Sequence, residues 1–174
     1  MRHRYLRIYL QDHFAMAWAG IDFCRRVIEQ NDQNELGREL KPIVDELDEE
    51  ATDLAQAMDL LDVEASRLKR TGARFAEKAG RLKFNGRLLR YSPLSRLLEV
   101  EFLLAAVEVR KGLWRTLIEA EKMYPQLQDV PMEHYRDRAD RQLRTLNELH
   151  QKAVRVMLKQ GWDEQQQRQR PSAP

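Results

Sequence analysis

The chain has 174 residues, of which 43% are hydrophobic and a third are charged, and its formal net charge is only +2. That length suits one domain with a sizeable core. Seven Gly and six Pro in a chain rich in Leu, Ala, Glu, Lys and Arg favour long helices over a turn-dense β fold. A lone Cys24 excludes an internal disulfide, and the start MRHRYLRIYLQDH lacks the apolar run of a signal peptide, so a cytoplasmic location is expected. No stretch reaches the roughly 20 apolar residues of a membrane span.

The 3.6-residue period first appears over Arg4–Gln30, where Leu6, Leu10, His13, Ala17, Ile21, Cys24 and Ile28 share one face and Phe14 and Trp18 widen it. Asn31-Asp32-Gln33-Asn34 is a turn. A second helix is predicted from Glu35 to Asp62, with Leu36, Leu40, Ile43, Leu47, Glu50, Leu54, Ala57 and Leu61 aligned and Pro42 to be accommodated near its first turns. The connector Val63–Tyr91 carries its own stripe of Leu68, Phe75, Ala79 and Leu82. As a helix over about 64–83 it would travel roughly 30 Å, the length of a crossover along the bundle.

Ser92-Pro93 opens a third helix, Ser as N-cap and Pro at the first helical position, and Tyr124-Pro125 ends it after Met123. Leu94, Leu97, Leu98, Phe102, Leu104, Ala105, Val109, Leu113, Trp114 and Leu117 spread over a wide face, which implies more than one neighbour. The fourth helix runs over Met132–Lys159 with Tyr135, Ala139, Leu143, Leu146, His150, Ala153 and Met157 aligned and Gly161 as its stop. Residues 163–174 (DEQQQRQRPSAP) have nothing to bury and are expected to form a disordered tail. The expected architecture is therefore an all-α four-helix bundle over 1–162 with a long helical crossover between helices 2 and 3, a topology shared with ferritin-like folds.

The runs Gly80-Arg81-Leu82-Lys83-Phe84-Asn85-Gly86-Arg87-Leu88, Ser92-Pro93-Leu94-Ser95-Arg96-Leu97-Leu98-Glu99 and Leu113-Trp114 resemble an uncharacterised family of actinobacterial helical-bundle proteins with a ferritin-like pattern. The resemblance covers about residues 5–158. It implies fold and a soluble bacterial protein; it implies no activity and no functional residue.

Each helix places an ionisable group in its stripe: His13, Glu50, Glu101 or Glu108, and His150. If the first hairpin turns near 32–33, His13 lies opposite about residue 52, and a second hairpin between 123 and 131 sets His150 opposite about 104. One layer would then hold all of them, a donor set suited to iron, manganese or zinc. The Glu-x-x-His pair of ferritin-like di-iron sites is missing, however, since Glu148-Leu149-His150 has the wrong spacing. The duller account is a polar layer that fixes the bundle's register, with no cofactor. No Gly-rich phosphate loop or nucleophile motif is present, so catalysis is not expected.

Charge is uneven along the chain. Residues 29–64 hold thirteen acids against Arg38 and Lys41, a net of −11, whereas 65–92 hold nine bases against Glu77, a net of +8. Arg70, Arg74, Lys78 and Arg81 are the candidates for binding an anion or nucleic acid. Folding of the basic segment back along the acidic helix explains the same pattern, and without exposed aromatics among the bases nucleic acid is the lesser expectation. The leading functional expectation is association with a protein, as a homodimer, using the wide third helix and Trp114.

Overall fold

The computed structural model describes residues 4–64 and 91–169, which are helical apart from turns and caps. Helix α1 spans Arg4–Gln30, α2 Glu35–Leu60, α3 Pro93–Glu121 and α4 Met132–Gln169, with a short 3-10 turn, Pro125–Leu127, between α3 and α4. The start signals act as the sequence implies. Asn34 caps α2 by accepting from the Leu36 N–H at 2.9 Å, and Ser92 caps α3 by accepting from the Ser95 N–H at 3.2 Å, with Pro93 at a position whose amide needs no partner. Pro42 is carried inside α2 on its exposed side. At its far end α2 closes on Asp62, whose φ of 54° is the left-handed conformation that Asp tolerates better than most side chains.

Helices α1 and α2 form one antiparallel hairpin and α3 and α4 another, packed so that α1 lies beside α3 and α2 beside α4. The contacts fix the directions. Asn31, at the α1–α2 turn, meets Tyr91 and Arg96 at the start of α3, and Lys152 reaches Glu35 at the start of α2. Leu61 and Val63, following α2, pack with Leu117, Leu127 and Val130 at the opposite end. Helices α2 and α3 therefore run parallel, and Glu64 and Tyr91 stand at opposite ends of the bundle. The crossover helix expected over 64–83 lies outside the described residues. So do the anion-binding candidates Arg70, Arg74, Lys78 and Arg81.

Two apolar clusters fill the interior. One gathers Ile21, Cys24, Leu40, Leu47, Val100, Leu103 and Leu146 near the α1–α2 turn; the other gathers Leu10, Phe14, Leu54, Met58, Trp114, Leu117, Met132 and Tyr135 at the far end. Burying side chains of this size contributes about 1.5–3 kcal/mol each before chain entropy is counted.

Two expectations are corrected. Trp114 is only 1% exposed and belongs to the core, so it offers no contact area to a partner. The fourth helix does not stop at Gly161, and residues 163–169 of the expected disordered tail are helical. Gly161 has no positive φ, and in a helix interior it costs only about 1 kcal/mol relative to Ala. Good helix formers, Met157 to Gln160, precede it, and the Gln160 amide donates to Glu164 one turn on, at 2.9 Å. Ala153 is the last buried residue of α4, so the helix runs on past the bundle.

Candidate functional site

Between the two apolar clusters lies a polar layer built by α2, α3 and α4. Glu50 sits in the apolar stripe of α2 and is 2% exposed. Its Oε2 accepts from Trp114 Nε1 at 3.0 Å and stands 2.8 Å from Arg110 Nε. The second oxygen, Oε1, has no hydrogen bond and faces Arg138 at 3.8 Å. Arg138 lies over the Tyr135 ring at 5.1 Å, pairs with Glu49 at 2.9 Å and approaches Glu46 at 3.7 Å. Arg110 also donates to the Gln142 carbonyl oxygen, and the Gln142 amide donates to Glu46 at 2.5 Å. The Tyr135 hydroxyl donates to Asp53 at 2.5 Å.

Burial pushes the Glu50 carboxyl above the usual carboxylate range, against the pull of Arg110 and the Trp114 N–H. Two guanidinium groups thus face three carboxylates drawn from α2, of which Glu50 is buried while Glu46 and Glu49 reach solvent. Such a layer holds three helices in register.

The predicted ligand set divides. Glu50 is held by Trp114 and Arg110, as above, and His13 packs against Tyr9 in a tilted arrangement with ring centroids 4.3 Å apart. Burial lowers the His13 pKa, opposed by Asp12. His150 and Glu101 do meet, Nε2 to Oε1 at 3.2 Å, close to the height that hairpin pairing assigns them, but on the surface. Glu108 is exposed. Among the described residues, no group of three or more His, Cys, Asp or Glu side chains could hold a metal ion. Cys24 is fully buried and free, and burial pushes its thiol up to about 11.

A different feature stands out on the exterior. Helix α3 buries Leu97, Val100, Leu103, Val107, Leu113, Trp114 and Leu117 inward, yet leaves Leu94, Leu98, Phe102 and Val109 between 44% and 54% exposed. At 100° per residue these four share one outward sector with Ala105 and Gly112. The sector continues onto α1. Phe102 packs on Phe23 with ring centroids 4.9 Å apart, the Tyr9 hydroxyl is 3.1 Å from that of Thr116, and Met16 lies 42% exposed between those two contacts. The wide apolar character of the third helix had signalled this face; the share taken by α1 had not, because Met16 and Phe23 lie off the α1 core stripe.

No protein-family profile matches the chain, and no match was found among curated proteins or solved structures. No described helix is long and apolar enough to cross a membrane.

Proposed function

We propose that this chain is a non-catalytic bundle of ferritin-like topology, with a crossover helix between α2 and α3, that acts by binding protein through the outer face of α1 and α3. One observation carries the reading. A helix that already buries a full apolar stripe exposes a second one about 22 Å long from Leu94 to Val109, where a solvated surface calls for polar side chains. Single exposed apolar residues are ordinary, but an aligned row joined to a neighbouring helix marks an interaction surface.

The test is a Leu94→Glu/Val109→Glu variant followed by thermal unfolding over a range of concentrations. On a docking face these substitutions leave the stability of the isolated chain within about 0.5 kcal/mol, as exposed surface changes do. A loss of several degrees in Tm that does not depend on concentration would mean that the face is covered by the chain itself, and would refute the association reading.

A further inference from the structure

Resting on that association reading, we propose that the partner is a second copy of this chain, docked face to face about a two-fold axis that runs parallel to α3.

The register of the face is set by two contacts. Phe23 against Phe102 and Tyr9 against Thr116 are each separated by fourteen residues along their helices, so α1 and α3 keep one antiparallel register across the whole face. On the α1 rim stand Asp12 and Arg26, both exposed and both just outside the Tyr9–Met16–Phe23 row. By that register Asp12 is level with position 113 and Arg26 with position 99. On the opposite rim, along α3, stand Glu101 and Arg115, also exposed. Each lies two residues from one of those heights, an offset of about 3 Å. At each height the two rims thus carry opposite signs: Arg26 against Glu101 near one end, Asp12 against Arg115 near the other.

A two-fold axis parallel to the helices lays the α3 rim of one protomer on the α1 rim of its partner without changing height. It brings Arg26 to Glu101 and Asp12 to Arg115 across the interface, twice each, and packs α3 antiparallel to the partner's α1. An axis perpendicular to the helices would instead fold the α3 rim onto itself; it can set Glu101 against Arg115 only by crossing the rim at position 108, midway between them, which puts the exposed Glu108 against its own copy. Like charges in juxtaposition are what interfaces avoid, so the parallel axis is selected.

Size agrees. The exposed parts of Leu94, Leu98, Phe102, Val109 and Met16 amount to on the order of 500 Å², near the largest apolar patch a monomer shows. With the polar rims included this approaches the roughly 800 Å² per partner of a standard specific interface. Gly20 and Gly112 have nothing within 4 Å of where a Cβ would stand, which leaves room along the face for a partner helix to come close.

The experiment is sedimentation equilibrium of the full chain from about 1 to 100 µM, a range that brackets micromolar affinity. The wild type is expected at twice the monomer mass. Arg26→Glu or Glu101→Arg alone should weaken the dimer about tenfold or more, and the Arg26→Glu/Glu101→Arg double variant should regain it, because the pair is rebuilt with its signs exchanged. Asp12→Arg and Arg115→Asp should behave likewise, whereas His150→Ala, which frees Glu101 without touching its charge, should leave the mass unchanged.

A dimer that the double variants do not rescue would overturn the arrangement, and a monomer throughout would overturn the second copy as partner. In the latter case the Leu94→Glu/Val109→Glu variant separates the two readings. An unchanged Tm leaves association with a different protein standing, and a concentration-independent loss removes it as well.

Discussion

Replacing Glu50 tests what the buried layer contributes. In Glu50→Ala the Trp114 N–H loses its acceptor inside the core, Arg110 loses the carboxylate 2.8 Å away, and a gap opens where the side chain was. An orphaned buried donor costs about 1–3 kcal/mol, and breaking one side of a buried ion pair about 3–5 kcal/mol. The two overlap here because one carboxylate oxygen serves both donors, so about 4–5 kcal/mol is expected in total. Glu50→Gln keeps the volume and an oxygen for Trp114. Since burial already disfavours the charge and Glu46 stays within the field of Arg110, its cost should remain below about 2 kcal/mol. Urea unfolding followed by far-UV circular dichroism measures both, with an unchanged m-value as the check that the transition stays two-state. Equal losses in the two variants would show that charge, rather than the hydrogen bond and the filled volume, holds the layer. A loss under about 1 kcal/mol for Ala would remove its structural role altogether.

The same site sets a pH dependence. With its folded pKa raised by burial, Glu50 contributes stability that is complete below the ordinary Glu range and is lost as pH rises through the raised value, so wild type should lose ground to Glu50→Gln on going from acid to neutral pH in parallel urea titrations. Gly37→Ala should destabilise by more than about 2 kcal/mol in thermal melts, because its Cβ would stand 2.2 Å from the Asn31 carbonyl oxygen and backbone cannot move aside cheaply. Asn31 is 1% exposed and ties the α1–α2 turn to α3, donating to the Val27 carbonyl at 2.8 Å and accepting from Arg96 at 3.2 Å, so Asn31→Ala should cost about 2–4 kcal/mol by urea unfolding. Cys24, buried and with its thiol pushed up to about 11, should react with a thiol reagent only as fast as the fold opens, in contrast to its immediate reaction in denaturant.

Much of the all-α architecture is legible along the chain because a helix is a local object. Stripes at 3.6 spacing, the Asn34 and Ser92 caps and the Pro125 stop act through residues three or four apart, and α1 comes out at its predicted ends. Gly161 misled because a stop glycine works through a left-handed conformation that its neighbours do not impose here. The polar layer shows a different boundary. Periodicity identifies Glu50 as inward-facing, since its position in the stripe decides that, but the choice between a metal and an arginine as its partner depends on which side chains the other helices present at the same height. Arg110 and Arg138 escape any search for apolar stripes because their long apolar stems reach into the core from the edges of their helices, carrying a charge that a stripe analysis assigns to solvent.

The outer face is legible only in part, for a related reason. A helix with apolar residues on two sides reads as one broad stripe, and only the packing separates the side spent on folding from the side left over. On α3 that division falls between Leu97, Val100 and Leu103, which are buried, and Leu94, Leu98 and Phe102, which are not. The leftover side lies beside Met16 and Phe23 of α1 rather than over bare solvent, and that juxtaposition turns four scattered exposed residues into a surface with two charged rims. The charge at those rims, more than the apolar area between them, is what distinguishes a second copy of the chain from any other apolar partner, because only self-complementary rims constrain both the axis and the height at which two copies meet.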